Sequence, residues 1–279
     1  MMEQHNLESK LKLFGRNKKY TPSTVKLYIA HIYNFLSHFN INKNDLESIS
    51  INMIIGYIKD IEGKYSINSL NNIISALSFL AMYLERAKWI DEIKTFRKRR
   101  EKIDLEFLSK SEVVNFLSMI DNLKYKLIFM LMYSIGLKGK EVSRIRLKDV
   151  DFKTRKIFIR GNDKKVDRNL NISEKTLSLI YTYIRDNAIV IENEILFRGK
   201  FQNQPLSDRS IQKKFNEYID KAEIKKNISP KALRISYMIH MLEKGICTKV
   251  LSKTMGYADI KYVNQYLKYV DNIVLESIV

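Results

Sequence analysis

The sequence predicts a mainly α-helical chain in two parts: an N-terminal helical bundle, then an α-rich domain with a small β-hairpin or sheet. Three observations carry this. Glycine and proline, the residues that break helices, number only 9 and 3 in 279. Apolar residues recur at helical spacing through most of the chain. One stretch, residues 151–172, alternates apolar and polar side chains instead.

The first helix with a clear start opens at Thr21-Pro22, an N-cap followed by proline at the first helical position. Val25, Ile29, Ile32, Phe35, Leu36 and Phe39 then follow at helical spacing. A second helix is expected around residues 50–61. A third begins near Ser66 and carries Ile67, Leu70, Ile73, Ile74, Leu77, Leu80, Ala81 and Leu84. Their apolar faces should pack into a bundle over residues 1–96. The run Phe96-Arg97-Lys98-Arg99-Arg100-Glu101-Lys102 has almost no apolar partner, so residues 97–106 read as a basic linker. Arg97, Lys98, Arg99 and Arg100 have the cationic density of a strap along a phosphate backbone.

The second domain, residues 107–279, opens at the capping box Ser109-Lys110-Ser111-Glu112. Leu123 to Ser134 is apolar enough for a buried helix, and the next helix starts near Lys138. Ile157, Ile159, Leu170 and Ile172 flank the polar turn Gly161-Asn162-Asp163-Lys164-Lys165, which predicts a β-hairpin. Helices return at 174–187, at 207–221 with Ser207 as cap, and at 230–244. The last has Ser229 as N-cap, Pro230 at the first position and Gly245 as the stop.

Charge narrows the partner. The net charge is +18, and it is shared: residues 1–100 carry 16 Lys and Arg against 9 Asp and Glu, and the remainder 33 against 22. Both parts are expected to touch a polyanion. A single cysteine, Cys247, excludes a disulfide within the chain and suits a reducing compartment, so a cytoplasmic, DNA-associated location is expected. Cys247 itself reads as a small buried residue rather than a nucleophile, and His240 is assigned no chemistry. The polar Met1–Glu8 start lacks a signal-peptide core, and no apolar run reaches ~18 residues, so no membrane partner is expected.

Four segments could carry chemistry. They are Gly136-Leu137-Lys138-Gly139-Lys140-Glu141, the lysine-bearing hairpin turn, Ser229-Pro230-Lys231-Ala232-Leu233-Arg234, and Met255-Gly256-Tyr257, with Tyr266 nine residues beyond Tyr257. In this order and spacing the chain resembles the tyrosine recombinase family, which includes phage integrases and Xer resolvases. Over residues 107–270 it matches that family's Gly-Leu-Arg-x-x-Glu, hairpin Lys, Pro-His-x-Leu-Arg, Leu-Gly-His and Tyr elements, with one extra residue in the hairpin. The N-terminal helices are similar in architecture to the family's core-binding domain.

The resemblance implies that Tyr266 attacks a DNA phosphodiester, forming a 3′-phosphotyrosyl link and freeing a 5′-hydroxyl. It implies that Arg234 stabilises the phosphate charge through paired donors. Lys164 or Lys165, with Lys164 preferred, would protonate the leaving oxygen. Glu141 and Asp149 fall where the family places acids. No metal or cofactor is implied. Double-stranded DNA with a specific site is the implied partner, bound by a homodimer that synapses as a tetramer. The apolar tail at residues 271–279 is a candidate for docking on a neighbouring protomer.

Three positions depart from the family pattern. Lys231 stands for a His, Tyr257 for a His or Trp, and Lys138 for the first Arg. Lysine offers a point charge without the planar fork. Losing one such contact would cost ~2–4 kcal/mol, about 10²–10³ in rate, unless Lys140, Arg144 or another group compensates. The expected function is therefore a site-specific recombinase or integrase. The alternatives are a catalytically weakened DNA-binding paralogue and a type IB topoisomerase-like enzyme.

Overall fold

The computed structural model describes residues 6–99, 105–161, 166–199 and 204–270. The chain divides into two compact units, Met1–Ile103 and Asp104–Val279. Arg100, Lys164, Lys165 and the 271–279 tail, each given a role above, lie outside the described residues.

The first unit is helical. It comprises α1 (Leu7–Asn17), α2 (Pro22–His38), α3 (Ile51–Ile61), α4 (Ile67–Tyr83) and α5 (Ala87–Thr95). Thr21, Ser50 and Ser66 cap α2, α3 and α4 by accepting from the backbone N–H three residues on. Helix α4 is the centre of the bundle: Leu70, Ile73, Ile74, Leu77, Phe79, Leu80 and Ala81 are all buried. The helix is apolar around more than one face, as a helix surrounded by others must be. After α5 the basic run turns back onto α4. Arg97 Nη2 donates to Ser75 Oγ at 2.8 Å, Asn71 exchanges hydrogen bonds with the Lys98 backbone at 2.9 and 3.1 Å, and Lys98 Nζ pairs with Glu62. Arg97 and Lys98 are thus held on their own bundle, while Arg99 is exposed.

The second unit runs α6 (Lys110–Ser118), α7 (Leu123–Ser134), α8 (Gly139–Val142), β1 (Val150–Asp151), β2 (Lys156–Arg160), β3 (Val166–Asn171), α9 (Glu174–Asp186), α10 (Asp208–Lys221), α11 (Lys231–Glu243), α12 (Thr248–Thr254) and α13 (Lys261–Asn264). The three strands form one antiparallel sheet in the order β1-β2-β3. The register pairs Ile157 with Leu170 and Ile159 with Arg168, so all four share a face. Ile157, Ile159, Leu170 and Ile172 are buried as the alternation predicted. Their core continues through Phe116, Phe129, Leu131, Phe197, Phe215 and Leu233. A second apolar cluster lies under α11, α12 and α13: Ile235, Met238, Ile239, Leu242, Leu251, Met255, Val263 and Tyr266.

Ser109 forms its capping box with Glu112, and Ser207 caps α10. Two expectations need correcting. Ser229 does not cap α11: Pro230 takes the cap position and no side chain caps the helix, while the Ser229 carbonyl accepts from Ala232 N–H at 2.7 Å. Proline's fixed φ is already helical, so it extends the turn by one residue and moves Ser229 outside it. Cys247 is exposed rather than buried, because it stands at the N-cap of α12, where the chain leaves the core. Among the described residues no helix is long and apolar enough to cross a membrane.

His240 is buried on α11, with Nδ1 and the Tyr133 hydroxyl 2.9 Å apart. Burial pushes its pKa below the ordinary 6.5; Glu243 opposes this, and Lys110 and Lys244 add to it. As pH falls below about 6.5, the unfolded chain takes a proton that the folded one refuses, so stability is lost in that direction. Between about pH 7.5 and about pH 5.5 the urea midpoint of the native chain should therefore fall further than that of His240→Gln. Equal falls in the two proteins would remove His240 as a source of acid sensitivity.

Candidate active site

Three of the four sequence segments meet at the first turn of α11. The helix is buried along most of its length, so Arg234 is carried into the interior and is 3% exposed. A buried guanidinium must be matched by acceptors or it destabilises the fold. Here Nη2 donates to the Met255 carbonyl at 2.5 Å and Nη1 to the Gly136 carbonyl. The Glu141 carboxylate lies 3.7 Å away. The planar fork has five N–H donors, more than these two carbonyls use.

Both carbonyls are presented by turns that only glycine suits. Gly136 and Gly256 each have φ +65°. A Cβ on Gly136 would lie 2.7 Å from Met255 Sδ and from Tyr237 Cδ1. A Cβ on Gly256 would lie 2.7 Å from Arg168 Nη1. The chain needs both a left-handed backbone and empty space at these points.

Glu141 collects the cations. It is the third residue of α8, and its carboxylate accepts from the Lys138 backbone N–H at 2.8 Å. Arg168 grips both carboxylate oxygens, Nη1 at 3.2 Å and Nη2 at 3.1 Å. Arg168 Nε donates to the Thr254 carbonyl at 2.7 Å, and Nη1 also reaches Asp167 at 3.0 Å. The Lys138 amine stands 3.7 Å from Glu141 and is half-exposed. Lys140 is exposed and pairs with Asp208 at 3.6 Å. Asp149, by contrast, is a buried anchor: it accepts from Arg160 Nε at 2.6 Å and from Arg146 N–H at 3.0 Å. Beside Glu141 opens a groove of about 690 Å³ whose rim includes Arg144, Arg146 and Lys148.

The Arg234 guanidinium carbon stands over the Tyr257 ring, 5.0 Å from its centroid. The exposed Tyr262 stacks on Tyr257 at 5.6 Å and 21°. Such cation–π contact holds the guanidinium plane without using an N–H donor. Tyr266 is 8% exposed, set in the apolar cluster between α13 and a short 3-10 turn at Leu267–Tyr269. Burial raises its phenol pKa above 10; Tyr257 and Tyr269 add to this, and the nearby Arg234 charge opposes it. Leu105 and Phe107 pack against this cluster, and Leu105 N–H donates to the Tyr269 hydroxyl at 3.3 Å.

The structure thus gathers Arg234, Tyr257, Tyr266 and, through Glu141, Lys138. Lys231 is exposed on the same turn as Arg234. Arg168 is the residue sequence reasoning missed. It shares the inward phase of β3 with Leu170, and an arginine in the apolar phase of a half-buried strand is the signal that marks it. Among the described residues no group of three His, Cys, Asp or Glu is placed to hold a metal ion.

Comparison with known proteins finds similar chains. The model of the phage integrase family matches residues 106–272. The tyrosine recombinase XerA of Pyrococcus horikoshii is 29% identical over 219 residues, covering 77% of this chain and 74% of the relative. XerA of Thermococcus onnurineus is 27% identical over 264 residues, 94% of this chain and 88% of the relative. Among solved structures, a pre-cleavage complex of the XerH site-specific recombinase with its difH substrate superposes with TM-score 0.72 at 17% identity, covering 93% of this chain and 81% of that one. A Tn1549 transposon integrase in complex with transposon right-end DNA gives TM-score 0.67 at 16% identity, 94% of each chain. Both structural likenesses speak to fold.

The glycine turns can be tested directly. Gly63 has φ +85° with no atom within 4 Å of a Cβ, so Gly63→Ala should cost only the left-handed backbone term, about 1–2 kcal/mol. Gly136→Ala meets the same term plus the collision with Tyr237, so its denaturant midpoint should fall clearly further. Equal losses would mean that the turn at Gly136 is looser than the geometry states.

Proposed function

The chain belongs to the phage integrase family, and from that premise we propose that it cuts and rejoins double-stranded DNA at a specific site with Tyr266 as nucleophile. The family is one of tyrosine recombinases, and the similar proteins above carry that activity in their names. The observation that carries the assignment of Tyr266 is its place: nine residues past Tyr257, buried, and close enough to Arg234 for that charge to act on its phenol.

The reaction follows from these groups. The Tyr266 oxygen attacks phosphorus, the bond from phosphorus to the 5′-oxygen breaks, and a 3′-phosphotyrosyl ester forms. Because burial keeps the phenol protonated near neutral pH, its proton must leave during attack. That proton passes to water or to a non-bridging oxygen of the attacked phosphate, while Lys231, on the exposed edge of the same helix turn, keeps a cation near that phosphate. Arg234 binds the non-bridging oxygens as charge builds there. A hairpin lysine, Lys164 or Lys165, delivers a proton to the departing 5′-oxygen. The ester keeps the bond energy, so attack by a second 5′-hydroxyl reverses the step on a new strand. Lys138 adds a point charge at the site's edge.

Arg144, Arg146 and Lys148 offer phosphate contacts along the groove, and the basic run at residues 97–100 is proposed to offer further ones within its own unit. Each such contact supplies affinity without sequence information. A pair of chains on DNA, and a tetramer at synapsis, is the assembly proposed. The place of work is DNA in the cytoplasm.

The test uses a nicked duplex that traps the covalent intermediate. The native chain should form a denaturant-resistant protein–DNA adduct. Tyr266→Phe should form none while keeping its DNA affinity. Arg234→Lys keeps the charge but loses the fork, and should slow adduct formation by about 10²–10³, or ~2.7–4 kcal/mol. An adduct that persists in Tyr266→Phe, or no adduct from the native chain on any site bound with sequence preference, would overturn the proposal.

A further inference from the structure

We infer that Arg168 is a positioning residue: it holds the Glu141 carboxylate away from Arg234, so that Arg234 stays free to bind a DNA phosphate. The inference rests on the function proposed above for Arg234.

The argument is one of competition between two anions for one guanidinium. Glu141 is 14% exposed and Arg234 4%, so their attraction is only weakly screened. Yet they stand 3.7 Å apart, beyond hydrogen-bond distance. Arg168 takes both carboxylate oxygens at 3.1 and 3.2 Å in the paired geometry that suits guanidinium and carboxylate best. Its own place does not depend on the acid. Nε is tied to the Thr254 carbonyl at 2.7 Å, and the guanidinium lies over Gly256, where no side chain could stand. The register of β3 fixes the Cα end through the pairing of Ile159 with Arg168.

Remove Arg168 and, among the described residues, the cations paired with Glu141 are Arg234 and Lys138, each at 3.7 Å. The Lys138 amine is half-exposed and keeps its water, so the buried guanidinium is the stronger partner. A movement of under an ångström would then turn this long ion pair into a direct, hydrogen-bonded one, and an incoming phosphate would have to displace it. Arg168 does not itself suit phosphate contact. Its Nε, Nη1 and Nη2 are all engaged by Thr254, Glu141 and Asp167, whereas Arg234 donates to its carbonyls through Nη1 and Nη2.

Rescue by a second substitution distinguishes this role from a structural one. Arg168→Gln should slow adduct formation on the nicked duplex by about 10²-fold. Arg168→Gln combined with Glu141→Gln removes the competing charge while keeping an acceptor for the Lys138 N–H, and should recover at least about tenfold of that loss. A bracing role predicts no recovery, because two braces are then gone. If Arg168→Gln fails to fold, Arg168→Lys replaces it: the smaller loss should show the same rescue. A double variant that folds by circular dichroism and is no faster than its Arg168 single variant overturns the inference. Should the native chain form no adduct at all, the proposed function fails on its own. The allocation is then read on the Arg234 Nε–Hε NMR signal of the full chain titrated with inorganic phosphate. The midpoint should rise in Arg168→Gln and return in the double variant; equal midpoints in all three proteins overturn the inference.

Discussion

One carboxylate organises the candidate site. Glu141 fastens the start of α8 through the Lys138 N–H, grips Arg168 from the sheet, and stands within 3.7 Å of Arg234 on α11. It thereby joins three elements that have no regular hydrogen bonding between them. Two buried arginines around one acid leave the centre net positive, a state that folding tolerates only where each guanidinium also finds carbonyls or a second acid. The Gly136, Met255 and Thr254 carbonyls meet that need, and two left-handed glycine turns bring Gly136 and the Met255–Gly256 peptide close enough to do it.

Around this cationic centre the protein places apolar and aromatic groups. Tyr257 covers one face of Arg234, and the cluster under α11 to α13 encloses Tyr266. Dryness has opposite effects on the two partners. It strengthens the pull of Arg234 on any anion, and it makes the Tyr266 phenol harder to ionise. The arrangement suits a nucleophile that loses its proton only as a phosphate arrives.

Most of the architecture was legible in local sequence patterns. The spacing along α2 and α4, the caps at Thr21, Ser109 and Ser207, and the alternation either side of Gly161 each depend on neighbours within a few residues, so the sequence displays them directly. The register of Lys138, Arg234, Tyr257 and Tyr266 was legible because a family pattern carries it. Arg168 was not, for its partner Glu141 lies 27 residues away on another element, and nothing local announces the pairing. Helices α12 and α13, of seven and four residues, are too short to show a period. The Ser229 cap failed because proline at a cap position and at the first helical position look alike in sequence.

The contact between Leu105 and Tyr269 has a consequence for how the protein is made. The two residues lie 164 positions apart, and with Phe107 they help enclose the cluster that holds Tyr266. Contacts of such long sequence separation form late, since the loop between them must be ordered first. On a ribosome the first unit and the early part of the second emerge before Tyr266 has been synthesised. A nascent or truncated chain can therefore carry basic surface without the assembled cluster around Tyr266, the proposed nucleophile. The chemistry that breaks DNA becomes available only to a finished, folded domain.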